Sequence, residues 1–224
     1  MIRSHLLTLT YCTQRIKTIT GNVEGIYEFT RLYLAIFYTF VALFYTCKII
    51  IVKKSSGHEQ VFPGQRFCVS WWNHLLFRLF RATIWMVCVF RLIFPNLDEY
   101  LGMFAAMLNV PVMFAGNILL TCGFLTTIII HVSMGSQWRS GVDPQGPNSL
   151  ITSGFFRFSR NPMFVAIGVS QLGFFLALPS IFSLLCLIIG IVSLYRQALV
   201  EEAHLAQVHP DDYAHYSAKT RRWF

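Results

Sequence analysis

Long apolar runs fenced by basic residues constrain this chain more than anything else in it. Residues 32–52 form a 21-residue, mostly apolar stretch between Arg31 and the Lys53–Lys54 pair, with Lys48 close enough to its end to snorkel. Residues 77–94 are apolar overall but interrupted by Arg78, Arg81 and Arg91, so they either span a bilayer or lie in its interface. An acidic turn at 96–100 precedes the run 101–133, which is too long for one untilted span; Pro111 either kinks it or marks where the span begins. Residues 162–177 and 179–195 are two shorter apolar helices joined only by Leu178 and Pro179. The spacing predicts a tight transmembrane hairpin, with Pro162 and Pro179 at the first helical positions.

These runs define an all-α fold class: a polytopic membrane helical bundle of about five transmembrane helices, four if 77–94 is interfacial. The bundle ends in the helical hairpin and a cytosolic helical tail. Three regions follow: an amino-terminal interfacial segment (1–31), variable membrane helices (32–109), and a core (110–224) that contains a long polar loop, 134–161, and the tail. That loop carries the turn signals Gly135, Gly141, Asp143-Pro144 and Gly146-Pro147.

Composition agrees. Apolar residues make up 55% of the 224 and charged residues 12%, outside the range of ordinary soluble domains. The net charge of +8 reads as a topological signal and an attraction to anionic headgroups. Nucleic acid is not expected as a partner, because the chain lacks a polar, exposed scaffold. The six cysteines include no CxxC pair, and four fall inside apolar runs, which argues against zinc or a disulfide framework. The amino-terminal apolar piece is short and no small-residue cleavage site follows, so a removable signal peptide is not expected. Arg139, Arg157, Arg160, Arg196, Lys219, Arg221 and Arg222 place the loop and the tail on the cytoplasmic side. With five spans the amino terminus is then outside despite Arg3, Arg15, Lys17 and Arg31; with four it is inside.

Chemistry is concentrated in the second half. Leu150-Ile151-Thr152-Ser153-Gly154-Phe155-Phe156-Arg157 runs into Ser159-Arg160-Asn161-Pro162-Met163-Phe164, and Glu201-Glu202-x-x-Leu205 and Tyr213-x-x-Tyr216 follow the hairpin. Because the hairpin returns the chain to the face it left, Arg160 and Glu201 come together although some forty residues separate them. With Gly135-x-x-Trp138 after a span bearing Gly116 and Gly123, this ordered set resembles the isoprenylcysteine carboxyl methyltransferase and phospholipid methyltransferase family of integral-membrane enzymes. The resemblance covers roughly residues 116–223. Three positions depart from the pattern: Asn161 where many members have His, Phe164 where many have Tyr, and His209-Pro210 where many have Phe-Gly. Asn161 keeps hydrogen-bonding ability but cannot act as a base.

The resemblance implies five spans, S-adenosylmethionine as cosubstrate and a lipophilic or lipidated acceptor reaching the site from the bilayer. It also implies a multi-pass protein with its active site facing the cytoplasm, in a bacterial inner membrane or the endoplasmic reticulum. The implied donor site comprises Leu150, Gly154, Phe155, Arg160, Asn161, Pro162, Phe164, Glu201 and Tyr213. Arg160 would fork the donor's carboxylate, a glutamate would hold its ammonium, and the phenylalanines would face adenine and sulfonium. Glu202 and Arg160 are the implied catalytic pair. Arg160 orients a carboxylate acceptor; Glu202 takes the proton of an amine or thiol. Leu205 and Val208 lie near the face of Glu201, which predicts Glu201 inward and Glu202 at the pocket edge. The acceptor is expected to arrive between the hairpin and the 110–133 span.

Two other functions fit parts of this pattern. An NADPH-dependent membrane reductase of sterol-reductase type would use the Arg139 loop, and a non-catalytic scaffold would use the polar cluster only to close the bundle. His204, His209 and His215 raise a metal, and Glu201-x-x-His204 has di-iron helix spacing. No second such motif exists, so no metal is expected.

Overall fold

Apolar residues here face outward and polar ones inward, the reverse of a protein surrounded by water. On the first helix Phe29, Leu32, Ile36, Phe40, Leu43 and Ile50 recur at helical spacing and are all about half exposed or more, while Thr30 and Arg31 are buried. Buried polar side chains continue with Asn117, Thr127 and Gln197. Such an arrangement suits a hydrocarbon solvent, where backbone polar groups must be satisfied within helices.

The structure is a computed structural model. It describes the chain outside residues 1, 57–60, 63, 136–139, 142, 144–145 and 148, and for 2–20, 52–56, 61 and 140 the backbone only. The described residues form α1 (Ile2–Ser56), β1 (Val61–Phe62), α2 (Val69–Ile93), α3 (Val110–Met134), β2 (Ser140–Gly141), α4 (Pro162–Ala177), α5 (Ile181–Val208) and α6 (Pro210–Lys219). Within α1, α3 and α5, the stretches Gly21–Ile51, Val110–Met134 and Ile181–Val208 are long and apolar enough to cross a membrane; α4 is a shorter apolar helix. The backbone shows no break at 31/32, since α1 runs through that position.

Cross-helix contacts fix the directions. α3 runs alongside α1: Asn117 donates to Thr30 (2.8 Å), Tyr33 meets Thr121, and Tyr45 packs edge-on to His131. α2 runs back beside α1 over the same depth. Trp85 Nε1 donates to Thr39 (3.1 Å) and the Arg81 guanidinium lies 4.8 Å from the centre of the Tyr45 ring. Residues 77–94 belong to α2, which runs antiparallel to α1 along the bundle but is not among the helices long and apolar enough to cross a membrane. Its third arginine is neutralised: Arg91, 1% exposed, pairs with Asp98, which also accepts from Arg31 (2.9 Å) and the Tyr27 hydroxyl (2.6 Å).

α3 and α4 pack most closely. A Cβ on Gly116 would overlap the backbone of Ala177, and one on Gly173 the backbone of Leu120; at Gly123 it would lie 2.6 Å from the Ser170 nitrogen. Close backbone approach through small residues is how helices gain packing energy where lipid supplies no hydrophobic drive between them.

Boundaries shift from expectation in two places. Asn109 caps α3, accepting from the Val112 N–H (3.1 Å), so Pro111 sits in its first turn and marks the start of the span. Pro162 opens α4 as expected, but Pro179 lies outside α5, whose cap is Ser180. Its hydroxyl accepts from the Ser183 N–H while the Ser183 hydroxyl accepts from the Ser180 N–H, two bonds a proline could not arrange. α5 then continues well past Tyr195 to Val208, with Pro210 opening the next helix.

Burial pushes the Asp98 carboxyl up, but hydrogen bonds from Arg91, Tyr27 and Arg31 outweigh it and hold the group below its ordinary value. Asp98→Asn leaves the buried Arg91 guanidinium without a counter-charge and Arg31 with only the exposed Glu28 (2.8 Å), which costs about 3–5 kcal/mol. The variant should unfold at a clearly lower temperature in detergent at neutral pH. A lowered pKa makes this stabilisation complete above the unfolded value and lost as pH falls, so the gap to wild type should close below about pH 4. Equal melting temperatures at pH 7 would show that the cluster carries no stability.

Candidate active site

At the end of the bundle opposite Asp98, the chain leaves α3, crosses the long loop and re-enters at α4. A Gly154–Arg157 3-10 turn, with Gly154 at φ +61°, delivers Ser159, Arg160 and Asn161 to the start of α4, where Pro162 occupies the first position. The Asn161 side chain does not cap that helix. Its amide donates instead to Glu202 Oε1 at 2.7 Å.

Glu202 is the hub. Arg160 Nη2 lies 3.2 Å from its Oε2, and Arg222 Nε donates to both oxygens at 3.0 and 3.2 Å. Two guanidiniums and an amide therefore occupy this buried carboxylate, and charge-assisted bonds of this kind are strong and directional. The chain end straps the cluster down. The Arg160 N–H donates to the carbonyl of Arg221 (2.9 Å), and the Ser159 hydroxyl donates to the carbonyl of Arg222 (3.0 Å).

Beside this hub lies an open cavity of about 860 Å³, its mouth and the solvent space within it included. Leu150, Arg160, Asn161, Glu201, Glu202 and Tyr213 line it, with Phe156, His204 and Tyr216 among the remaining walls. The Nε of Arg160 is buried without a hydrogen-bond partner among the described residues, and Tyr213, only 7% exposed, lies against the Glu202 carboxylate. Burial, reinforced by the Glu202 charge, pushes Tyr213 up to about 12, so its hydroxyl is a neutral donor at neutral pH. Burial likewise raises Tyr216 to about 12, and its hydroxyl donates to the Phe156 carbonyl (2.6 Å).

The outer wall is held by histidines. His204 Nε2 sits 2.9 Å from the Gly146 carbonyl and His209 Nε2 2.8 Å from that of Pro147. β1 pairs with β2 in parallel, Phe62 opposite Gly141, and a side chain at Gly141 (φ +92°) would overlap the Phe62 carbonyl and come within 2.6 Å of His74. Gly141 also lines the cavity, so the loop is pinned at both ends of its described part.

Four residues expected at the site stand off the cavity. Gly154 and Phe155 belong to the exposed 3-10 turn, Pro162 is buried at the head of α4, and Phe164 is half-buried on that helix. Phe156 supplies the aromatic wall instead. Trp138 and Arg139 lie outside the described residues. The two glutamates exchange the places expected of them. Glu202 shares the buried face of α5 with Leu194 and Ala198, while Glu201 is half-buried and accepts from Gln197 (3.0 Å). Val208, used to choose the face, is 37% exposed. Arg222 gave no signal in the sequence, because its contact depends on the tail folding back.

Residues 111–212 match the family model of phospholipid methyltransferase. This region therefore belongs to the isoprenylcysteine carboxyl and phospholipid methyltransferase group of membrane enzymes. No curated protein and no solved structure matches the chain.

The hub predicts different behaviour of the two glutamates. Glu202→Gln removes the charge that holds Arg222 and should loosen the strap, raising trypsin cleavage at Lys219–Arg222 in detergent at least about tenfold, the equivalent of roughly 1.4 kcal/mol. Glu201→Gln should leave that rate unchanged. Equal rates for both variants, read by mass spectrometry, would rule out Glu202 as the anchor.

Proposed function

We propose that this membrane methyltransferase uses S-adenosylmethionine to methylate a lipophilic acceptor, a carboxylate, amine or thiol presented by the bilayer, from a cavity open to the cytoplasm. The observation that carries the reading is a cavity beside the Arg160–Glu202 ion pair, lined by Arg160, Asn161, Glu201 and Tyr213, within a methyltransferase-family region.

When bound, the cosubstrate supplies a methyl group on a sulfonium. The protein's part is to hold and orient it. Glu202 fixes the Arg160 guanidinium in place, leaving Nε to meet a carboxylate. Glu201 accepts a single side-chain hydrogen bond, from Gln197, and is the carboxylate available to an ammonium. Glu202, already shared by Arg160, Arg222 and Asn161, is a poor base, so positioning and exclusion of water carry the rate enhancement. Basic residues at this end, including Arg66, Arg157, Arg196, Lys219 and Arg221, support a cytoplasmic orientation.

Titration of S-adenosylmethionine into purified protein in detergent should give saturable binding that NADPH does not displace. Arg160→Lys should weaken it at least about tenfold, because a lysine cannot reproduce the planar fork. Absence of binding would overturn the proposal, and displacement by NADPH would put a reductase in its place.

A further inference from the structure

α2 faces the hairpin across an apolar groove lined by Phe77, Phe80, Ile84 and Leu187. One turn beyond that groove, toward the candidate site, the contact between α2 and α5 turns polar. Asn73 of α2 and Gln197 of α5 are 2% and 4% exposed, and the Asn73 amide donates to Gln197 Oε1 at 3.3 Å. Gln197 Nε2 in turn donates to Glu201 Oε1 at 3.0 Å, one helical turn further along α5. Glu201 lines the cavity, whereas Asn73 and Gln197 lie outside its wall.

Chemistry fixes the sense of this chain. An ionised carboxylate only accepts, so the Gln197 amide must present its NH2 group to Glu201. Its carbonyl then faces Asn73, which meets it with an NH2 group of its own. Without a donor at position 73 the Gln197 amide loses that bias, and with its carbonyl turned toward Glu201 two acceptors would oppose each other. Amides that only join helices can exchange two hydrogen bonds. These two make one, and Gln197 directs its remaining donor at Glu201. The neighbouring carboxylate needs no such support, since Arg160, Arg222 and Asn161 hold Glu202. Glu201 has no cation among the described residues, so Gln197 is the side chain that orients it.

We propose that Asn73 and Gln197 are positioning residues for the cavity. They hold Glu201 by one carboxylate oxygen and leave the other to the cosubstrate's ammonium, so the inference rests on the methyltransferase reading. A buried polar network of this kind rigidifies the group at its end. It gives α2, which precedes the family match, a part in selecting what the cavity holds: a ligand with an amino group is favoured over one without it.

Calorimetric titration of the protein in neutral detergent tests it, with S-adenosylhomocysteine and its deaminated analogue S-adenosyl-4-thiobutyrate as probes. The two differ only in the ammonium, and wild type should bind the first at least about tenfold more tightly. Asn73→Leu and Gln197→Met, close in size to the amides they replace, should each weaken S-adenosylhomocysteine about five- to tenfold. Neither should change the affinity for the deaminated analogue, which also reports that the variants are folded. Asn73→Leu combined with Glu201→Gln should bind S-adenosylhomocysteine no worse than Glu201→Gln alone, because residues acting through one contact are not additive. Equal losses for both ligands would reduce the relay to helix packing, and an unchanged affinity for S-adenosylhomocysteine would remove it from the site. Either result overturns the inference and leaves the methyltransferase reading standing. A wild-type protein that binds neither nucleoside would overturn that reading and this inference with it.

Discussion

Backbone-to-backbone packing of α3 on α4 sets the geometry on which everything at the candidate site depends. Gly116, Gly123 and Gly173 let the two helices approach until main-chain atoms touch, and no larger residue is accommodated at those places. In lipid the gain from such contact is dispersion and geometry, since apolar burial between helices is nearly neutral there. Register follows from it. With Gly116 against Ala177 and Gly123 against Ser170, His131 is brought to 3.0 Å from the Met163 sulfur. Arg160 and Asn161 then emerge beside the end of α3, where Met134 joins the cavity wall. A slip of one turn along this seam would move the hub residues by about 5 Å and separate Asn161 from Glu202.

Buried charge is handled by one device at both ends of the bundle. Asp98 collects Arg31 and Arg91 at one end; Glu202 collects Arg160 and Arg222 at the other. Each carboxylate neutralises and orients two guanidiniums drawn from distant parts of the chain. The consequences differ because the surroundings differ. The Asp98 cluster closes a helix junction, whereas the Glu202 cluster borders a cavity; both leave guanidinium nitrogens without a partner among the described residues. The same ion-pair device closes a junction at one end and forms part of a cavity wall at the other.

The span positions and the pairing of Arg160 with the glutamates were legible in the sequence, because apolar length and hairpin return are local consequences of residue type. The depth of α2 was not. Arg78, Arg81 and Arg91 made it ambiguous, and only the tertiary partner of Arg91, seven residues away across a turn, resolves why so charged a helix runs the full bundle. The inward glutamate was misread for a related reason. Helical periodicity gives a face only when the packing residues are known; the choice rested on Leu205, which lines the cavity, and Val208, which is exposed, while Leu194 and Ala198 share the buried face of Glu202. The pairing of Arg222 with Glu202 could not be read in advance, since a side-chain ion pair twenty residues apart forms only once the tail folds back.

The extent of the family match bears on how the work of such a protein divides. Residues 111–212 hold α3, the loop, the hairpin and both glutamates, and thus most of the cavity. Tyr213 and Tyr216 lie beyond the match yet line the same cavity, and Arg222 holds the Glu202 beside it. α1 and α2 precede the match altogether. They contribute Arg81, Tyr38 and Asn73, which face the hairpin from the side that the glycine seam leaves open. A donor common to a whole group constrains the residues that touch it, while an acceptor that differs between members leaves its own contacts free to change. The cavity thus draws mainly on the matched region, while the groove is shared between that region's hairpin and the preceding α1 and α2.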